Sequence, residues 1–172
     1  MSALNERIPL SICVLTVSDT RTAANDTSGD YLAEALRADG HRVAERALLP
    51  DDRYAMRALV SRWIADPDVD GILVTGGTGF TGRDSTPEAL LPLLDKEMPG
   101  FGELFRAVSF EEIGTSSLQS RAFAGLANAT FVFALPGSTS ACTTAWERII
   151  RHQLDSTTRP CNLATIRPRL KE

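Results

Sequence analysis

Short apolar segments rich in β-branched residues alternate along this chain with segments that have the spacing of amphipathic helices. Residues 12–17, 42–49, 71–75 and 130–135 have strand patterns, and the first and third are nearly continuous in apolar residues, as strands buried on both faces are. Apolar residues at helical spacing follow each of the four. This order predicts an α/β fold with a mostly parallel sheet and helices on both of its faces.

The length of 172 residues suffices for one compact domain. We expect a single domain, residues 1–172, with a core over about residues 8–155 and a charged C-terminal tail over residues 156–172. Its basic side chains are expected to be solvated or to pack on a neighbouring subunit. Residues 116–127 are predicted as a helix, and Trp63 and Trp146 are predicted in the core or at a subunit interface.

The charge balance narrows the classes of partner. A net charge of -4 and a pI of about 5.2 leave no general positive field, which argues against nucleic-acid binding. The three cysteines are widely spaced, without a C-x-x-C pair, so neither a disulfide framework nor a zinc site is indicated. The N-terminus has no signal-peptide pattern, and no run of about 18 apolar residues could span a membrane. We therefore expect a cytoplasmic protein.

The third predicted strand runs into a loop rich in glycine and hydroxyl side chains, residues 75–84. Glycines let the backbone adopt positive φ and approach a ligand closely, so successive N–H groups can point at phosphate oxygens. A loop that only turns the chain needs one or two glycines, whereas this loop has four. We therefore predict that it binds an anion, through Thr75, Gly76, Gly77, Thr78 and Gly79.

Two common nucleotide-binding motifs do not fit this loop. Residues 77–82 match the dinucleotide pattern G-x-G-x-x-G, but the following helix waits until Thr86 instead of beginning at once. The usual phosphate loop requires a lysine where this chain has Arg83 followed by Asp84. The sequence thus favours a phosphoryl- or nucleotidyl-transfer enzyme that works without that lysine.

Two aspartates follow predicted strands at the same edge of the sheet. Mg²⁺ is commonly bound by one or two carboxylates together with phosphate oxygens, so Asp51 and Asp84 are predicted to hold it. Asp51 is equally suited to capping the next helix, in which case Asp52 is the alternative ligand. Asp84 has a competing cap residue in Thr86, which favours a functional role for Asp84.

The fourth predicted strand ends at a second candidate anion site. Ser138 follows Gly137 at a strand-to-helix junction, where a hydroxyl and backbone N–H groups can bind phosphate or carboxylate. A serine hydrolase is disfavoured because the chain has no G-x-S-x-G. His41 and His152 also lie away from this edge, and both are predicted on the surface.

Taken together, these motifs resemble the molybdopterin-binding MoaB/MogA family, which includes the G domain of gephyrin. The similar segments are residues 15–19, 26–29, 75–79, 83–89, 100–103 and 136–138. Residues 109–116 and 158–162 resemble the MoaB branch in particular.

The resemblance implies a three-layer α/β/α sandwich, a homo-oligomer that is a trimer or hexamer, and a role in molybdenum cofactor synthesis. Catalytic members use Mg²⁺ and ATP to adenylylate molybdopterin with release of pyrophosphate, and a downstream molybdate-insertion protein is a further implied partner. The family's functional carboxylates fall on Asp51 and Asp84 and its glycine loop on Gly76 to Gly79. Its pterin or phosphate contacts fall on Ser18, Asp19, Ser138 and Glu103.

Two other functions stay open at this point. A protein of the MoaB branch that binds the pterin or a nucleotide without catalysis would keep the same loop. A purely structural oligomer would tolerate Asp84→Asn, but it leaves the glycine loop unexplained. The sequence does not distinguish ATP from GTP.

Overall fold

A six-stranded sheet forms the centre of the protein in the computed structural model, which describes residues 7–171. The prediction that the N-terminus lacks a signal pattern falls mainly on residues 1–6, outside the described residues. The strand order is β2-β1-β3-β6-β5-β4, and β2, β1, β3 and β6 are parallel, while β5 is antiparallel to β6 and β4 to β5. The strands are β1 (Ser11–Val17), β2 (Arg42–Leu49), β3 (Gly71–Thr75), β4 (Lys96–Glu97), β5 (Phe123–Ala127) and β6 (Thr130–Leu135).

Helices connect the strands and follow the last one. The α-helices are α1 (Thr27–Ala38), α2 (Arg53–Ala65), α3 (Thr86–Leu90), α4 (Pro99–Ile113), α5 (Thr139–Ala145), α6 (Arg151–Leu154) and α7 (Leu163–Ile166). A π-helical turn, Trp146–Ile150, joins α5 to α6. A 3₁₀ helix, Gly114–Gln119, follows α4 directly. None of the helices in the described part of the chain is long and apolar enough to cross a membrane.

The sheet is covered on both faces, which confirms the α/β/α sandwich. Ile12 and Val14 of β1 pack in a core with residues of α1, α4 and α5. Cys13 and Leu15, which alternate with them, pack in a second core with α2 and α3. Trp146 lies in the first core and Trp63 in the second, so the prediction that both are buried is confirmed.

The predicted helix over residues 116–127 is wrong. The first part is the 3₁₀ helix and the second is β5, which pairs with β6 across a two-residue turn. Both turn residues, Asn128 and Ala129, have positive φ, as a tight hairpin turn requires. The segment has no β-branched residue, and its pairing with β6 overrides its helix-like composition.

Two predictions about the surface also need correction. His152 is exposed as predicted, but His41 is buried, and its Nδ1 accepts a hydrogen bond of 3.1 Å from the Leu10 N–H. The C-terminal segment does not extend as a tail up to residue 171. Ala164 is buried in the first core, and Arg167 forms an ion pair with Asp70.

Candidate active site

The carboxyl ends of β2, β1, β3 and β6 meet at one edge of the sheet, as predicted from the parallel order. Hydrogen bonds connect the four ends. The Ser18 N–H donates to the Leu49 carbonyl at 2.9 Å, and the Gly76 N–H donates to the Leu135 carbonyl at 2.9 Å. Buried Thr75 donates its hydroxyl to the Pro136 carbonyl at 2.8 Å. This edge is therefore a rigid base for the loops above it.

The glycine loop has a backbone that only glycine fits. Gly76 and Gly77 have φ of +106° and +66°, in the left-handed region. A Cβ on Gly76 would collide with the Val17 carbonyl, and one on Gly77 would lie 2.5 Å from Asp51 Oδ2. Thr86 closes the base of the loop, because its N–H donates to the Gly77 carbonyl at 3.0 Å and its hydroxyl to the Gly76 carbonyl at 2.8 Å.

Neighbouring aspartates after β2 have different roles. Asp52 caps α2, since its carboxylate accepts a hydrogen bond of 2.7 Å from the Ala55 N–H. Asp51 is buried and turns toward the glycine loop, where it accepts hydrogen bonds from the Ser85 hydroxyl and, at 3.3 Å, from the Ser85 N–H. Capping therefore belongs to Asp52, and Asp51 is available to the site.

Asp84 closes the other end of the glycine loop. Its Oδ2 accepts hydrogen bonds from the Thr81 N–H at 2.8 Å and the Thr81 hydroxyl at 2.7 Å. The same oxygen lies 2.7 Å from the position that a Cβ on Gly79 would occupy. Thr86, which was predicted to cap α3, is instead its first residue, and Ser85 precedes it at the cap position. Asp51 and Asp84 thus lie against two glycines of one loop.

Asp19 and Arg83 fasten the loop after β1 to the glycine loop. Arg83 donates from Nε and Nη2 to the two Asp19 oxygens at 2.8 and 2.9 Å. Asp19 also accepts from the Asp51 N–H at 2.9 Å. The hydrogen bonds from Arg83 lower the pKa of Asp19 to about 2. The Ser18 hydroxyl accepts a hydrogen bond of 3.1 Å from the Arg21 N–H. Ser18 and Asp19, which were both predicted to contact a ligand, therefore hold the loops at this edge of the sheet in place.

A cleft of about 470 Å³ opens between the glycine loop, the start of α5 and the C-terminal half of α4. Six predicted site residues line it: Gly77, Thr78, Gly79, Asp84, Gly137 and Ser138. Five others lie at the same edge without lining it: Ser18, Asp19, Asp51, Thr75 and Gly76. Glu103 is exposed near the start of α4 and is not among the lining residues.

One wall of the cleft was missed from the sequence. Side chains of α4, of the following 3₁₀ helix and of the residue after it form this wall, and most of them are polar. The available signal was a set of serines within residues 109–120, to which the sequence analysis assigned no part in the site. The polar residues of this wall are Ser109, Glu112, Ser116, Ser117, Gln119 and Ser120.

Arg121 was also missed, and it holds the outer side of the glycine loop. It donates to the Gly79 carbonyl at 2.8 Å and to the Asp84 carbonyl at 3.1 Å, and it forms an ion pair with Glu88. The Arg121 guanidinium also lies 5.2 Å from the centre of the exposed Phe80 ring. Hydrogen bonds from Arg121 lower the pKa of Glu88. One arginine therefore connects the middle and the C-terminal end of the loop to α3.

The fold and this edge define an open, doubly wound α/β protein with a glycine-rich loop, two carboxylates that lie against this loop, and a polar cleft at the carboxyl ends of its parallel strands. A family described as "Probable molybdopterin binding domain" matches residues 13–156. The chain belongs to this family, the MoaB/MogA family, and the resemblance predicted from the sequence is confirmed.

Individual relatives match nearly the whole chain. Molybdenum cofactor biosynthesis protein B of Escherichia coli strain K12 is 58% identical over 167 residues, which cover 97% of this chain and 96% of that protein. A solved structure of a molybdenum cofactor biosynthesis protein B has a TM-score of 0.86 at 39% identity, covering 95% of this chain and 97% of the other. The tungsten cofactor synthesizing protein MoaB of Pyrococcus furiosus has a TM-score of 0.74 at 36% identity, covering 82% and 90%.

Proposed function

We propose that the protein acts in molybdenum cofactor biosynthesis as a molybdopterin adenylyltransferase. The observation that carries the proposal is the meeting of the glycine loop with Asp51 and Asp84 beside the cleft. The names of the relatives support the pathway. In the proposed reaction a terminal phosphate oxygen of molybdopterin attacks the α-phosphorus of ATP. The bond from that phosphorus to the bridging oxygen breaks, and pyrophosphate leaves with the electron pair.

The charges around the cleft limit how the substrates can be neutralised. Among the described residues that line it, Asp84 and Glu112 are ionisable acids, and none is lysine, arginine or histidine. Two phosphate-bearing substrates therefore need backbone N–H groups and a cation to offset their charge.

The residues present fit Mg²⁺. Asp51 and Asp84 offer carboxylate oxygens, the ligands that this ion prefers, and the glycines beside them leave space that a Cβ would fill. The described residues hold no group of three or more His, Cys, Asp or Glu suited to a metal ion, so phosphate oxygens and water would complete the coordination. When bound, Mg²⁺ would neutralise charge on the reacting phosphates.

The residues of the chain contribute chiefly alignment. The N–H groups of the glycine loop can hold phosphate oxygens in fixed positions, because Thr86 and Arg121 keep the loop in one conformation. Ser138, which lines the cleft at the start of α5, can offer its hydroxyl to a second phosphate or to the pterin. In-line attack on the α-phosphorus, opposite the leaving pyrophosphate, requires that the molybdopterin phosphate and the ATP phosphates be held in place at the same time.

The test is to incubate the protein with molybdopterin, Mg²⁺ and ATP and to follow adenylylated molybdopterin by mass spectrometry. We expect Asp84→Asn and Asp51→Asn each to lower turnover by about 10²–10³-fold or more, because each removes a charge at the reacting phosphates but little volume. The matched control is Asp68→Asn, an exposed aspartate before β3, at the opposite end of the sheet. Equal loss in the control, or unfolding of both site variants, would contradict the proposal.

A protein that binds molybdopterin or a nucleotide without catalysis is the second candidate. One observation favours it: both carboxylates already accept hydrogen bonds within the loops, Asp84 from Thr81 and Asp51 from Ser85. In this case wild-type protein retains molybdopterin and forms no adenylylated product. Asp84→Asn would then loosen binding through the loop, without a catalytic defect to measure.

We further propose a homo-oligomer, a trimer or hexamer, that passes its product to a molybdate-insertion protein. Several large apolar side chains on α4 and the 3₁₀ helix are exposed in the single chain, and burial in an oligomer would stabilise them. These are Leu104, Phe110, Ile113 and Leu118.

A further inference from the structure

Glu112 is the one acidic side chain of the described cleft lining that lies away from the glycine loop. It is on the last turn of α4, across the cleft from the start of α5. Both of its carboxylate oxygens lie within hydrogen-bond distance of the Thr144 hydroxyl, at 3.0 and 2.9 Å. Thr144 is buried on α5, so it fixes the carboxylate from the protein side.

This contact leaves most of the carboxylate free to accept hydrogen bonds. A threonine hydroxyl has one proton to donate, whereas a carboxylate has about four acceptor positions. No described residue forms an ion pair with Glu112. The neighbouring Glu111, in contrast, pairs with Arg148 at 3.1 Å. Glu112 is therefore an oriented acceptor on a cleft wall made largely of hydroxyl groups.

An acceptor at this place selects the part of a ligand that can face it. Phosphate would be repelled by the Glu112 carboxylate, whereas at the glycine loop backbone N–H groups and the proposed Mg²⁺ would offset the charges of Asp51 and Asp84. The phosphate therefore belongs at the glycine loop, and a donor-rich part of the ligand belongs at α4. A pterin ring carries such an edge, with its 2-amino group beside a ring N–H. Two parallel N–H donors match the two oxygens of a carboxylate.

We propose that Glu112 recognises the pterin ring of molybdopterin by accepting hydrogen bonds from the 2-amino group and the adjacent ring N–H. This inference rests on the proposed function, because it takes molybdopterin as the ligand of the cleft. Thr144 is a positioning residue that acts through Glu112. Guanine has the same edge and adenine does not, so a guanine nucleotide is the competing source of this chemistry.

The experiment compares the affinities of two ligands for wild-type protein and Glu112→Gln. The ligands are a 6-alkylpterin phosphate and its lumazine counterpart, in which oxygen replaces the 2-amino group. Wild-type protein is expected to prefer the pterin by about tenfold or more, the effect of a hydrogen bond to a charged group. Glu112→Gln should lose that preference, because its amide presents N–H donors to the donor edge. The matched control, Glu111→Gln, should keep it.

Each outcome decides the inference. An unchanged preference in a folded Glu112→Gln variant would overturn it, and so would an equal loss in Glu111→Gln, which would indicate a general charge effect. If Glu112→Gln binds GTP more weakly than wild-type protein does but binds the pterin equally well, Glu112 recognises the guanine of a nucleotide, and the inference is also overturned. Rescue of the preference by Glu112→Asp, with partial loss in Thr144→Val, would support it.

The adenylylation assay separates this inference from the proposed function. If Glu112→Gln loses the pterin preference but wild-type protein forms no adenylylated molybdopterin, pterin recognition stands and the transferase activity fails. If wild-type protein forms the product and Glu112→Gln retains the pterin preference, the transferase activity stands and pterin recognition by Glu112 fails. If wild-type protein binds neither the pterin phosphate nor its lumazine counterpart, both the inference about Glu112 and the proposed function are overturned.

Discussion

Gly77 is a residue of the glycine loop that has no room for a side chain. Its φ is +66°, and a Cβ would meet Asp51 Oδ2 at 2.5 Å as well as the Thr86 hydroxyl. In Gly77→Val we expect the loop to move, with the free energy of unfolding lowered by about 2 kcal/mol or more and Mg-ATP binding lost. Calorimetric titration and urea unfolding measure the two effects.

A second glycine of the same loop provides the control. Gly82 has no heavy atom within 4 Å of a built Cβ, and its φ is not in the left-handed region. Gly82→Ala should therefore bind Mg-ATP as wild-type protein does. If Gly77→Ala, the milder change, folds and keeps full affinity, the assignment of phosphate binding to this loop is wrong.

At the residue scale, the sequence predicts the kinds of side chain but not where they point. Asp51 and Asp52 are chemically identical and adjacent, and either one could cap α2. The choice depends on how the strand leaves the sheet, and the structure assigns the cap to Asp52. Glu112 was missed for a related reason: its place in the cleft depends on Thr144, which is 32 positions away in the chain.

Arg121 connects the glycine loop to α3, and its removal tests whether the loop must be held rigid. Only a quarter of its side-chain surface, 25%, is exposed, and it bonds the carbonyls of Gly79 and Asp84 as well as Glu88. Arg121→Gln should lower the free energy of unfolding by about 1–3 kcal/mol and speed hydrogen exchange across residues 77–84. Mass spectrometry of exchanged peptides measures the second effect.

The control for Arg121 is an arginine with a similar fork that is more exposed to water. Arg62 pairs with Glu45 at 2.7 Å and is 60% exposed, so Arg62→Gln should lower the free energy of unfolding less than Arg121→Gln does. It should also leave exchange in the glycine loop unchanged. Equal exchange in Arg121→Gln and wild-type protein would mean that Thr86 alone holds the loop.

Elements with a strong pattern were predictable, and those defined by their neighbours were not. β1 and β3 are nearly continuous in apolar residues, so their residues specify buried strands without further information. β5, Phe-Ala-Gly-Leu-Ala, reads as a helix segment. It is a strand because it lies between β4 and β6, and a Cβ on Gly125 would meet the Lys96 carbonyl at 2.5 Å. Such close packing is a property of the sheet, not of the segment.

For the whole molecule, the position of the site was predictable from the topology. Parallel strands bring their carboxyl ends to one edge, so residues far apart in the chain were correctly placed together. The closing wall of the cleft was not predictable, since α4 reaches it through its packing on α5 and β5, and the 3₁₀ helix reaches it through its packing on α4.

The stability of the whole molecule should depend on pH through His41. Burial lowers the pKa of this imidazole below its ordinary value of 6.5, and its Nδ1 accepts the Leu10 N–H, which requires that nitrogen to be unprotonated. Below pH 6.5 the unfolded chain therefore binds more protons at this position than the folded chain does. The free energy of unfolding should fall as pH decreases through this range.

The charged groups around His41 do not reverse this expectation. Asp39, Asp155 and Asp70 raise its pKa and Arg7 lowers it, but burial is the largest effect. Carboxylates with lowered pKa, such as Asp26 and Asp155, lose their contribution only as pH falls below their ordinary value of 3.8. The interval from about pH 7.5 to 5 therefore isolates the imidazole.

Urea unfolding of wild-type protein and His41→Asn across that interval tests the prediction. The asparagine side-chain oxygen can accept the Leu10 N–H in place of Nδ1, while the lost ring contact with Trp146 lowers stability at every pH. Wild-type protein should lose stability as pH falls, and the variant should show a flatter profile. His152→Asn, at an exposed position, should follow the wild-type curve. Parallel curves for wild-type protein and His41→Asn would show that the folded protein accommodates a protonated His41 at no cost.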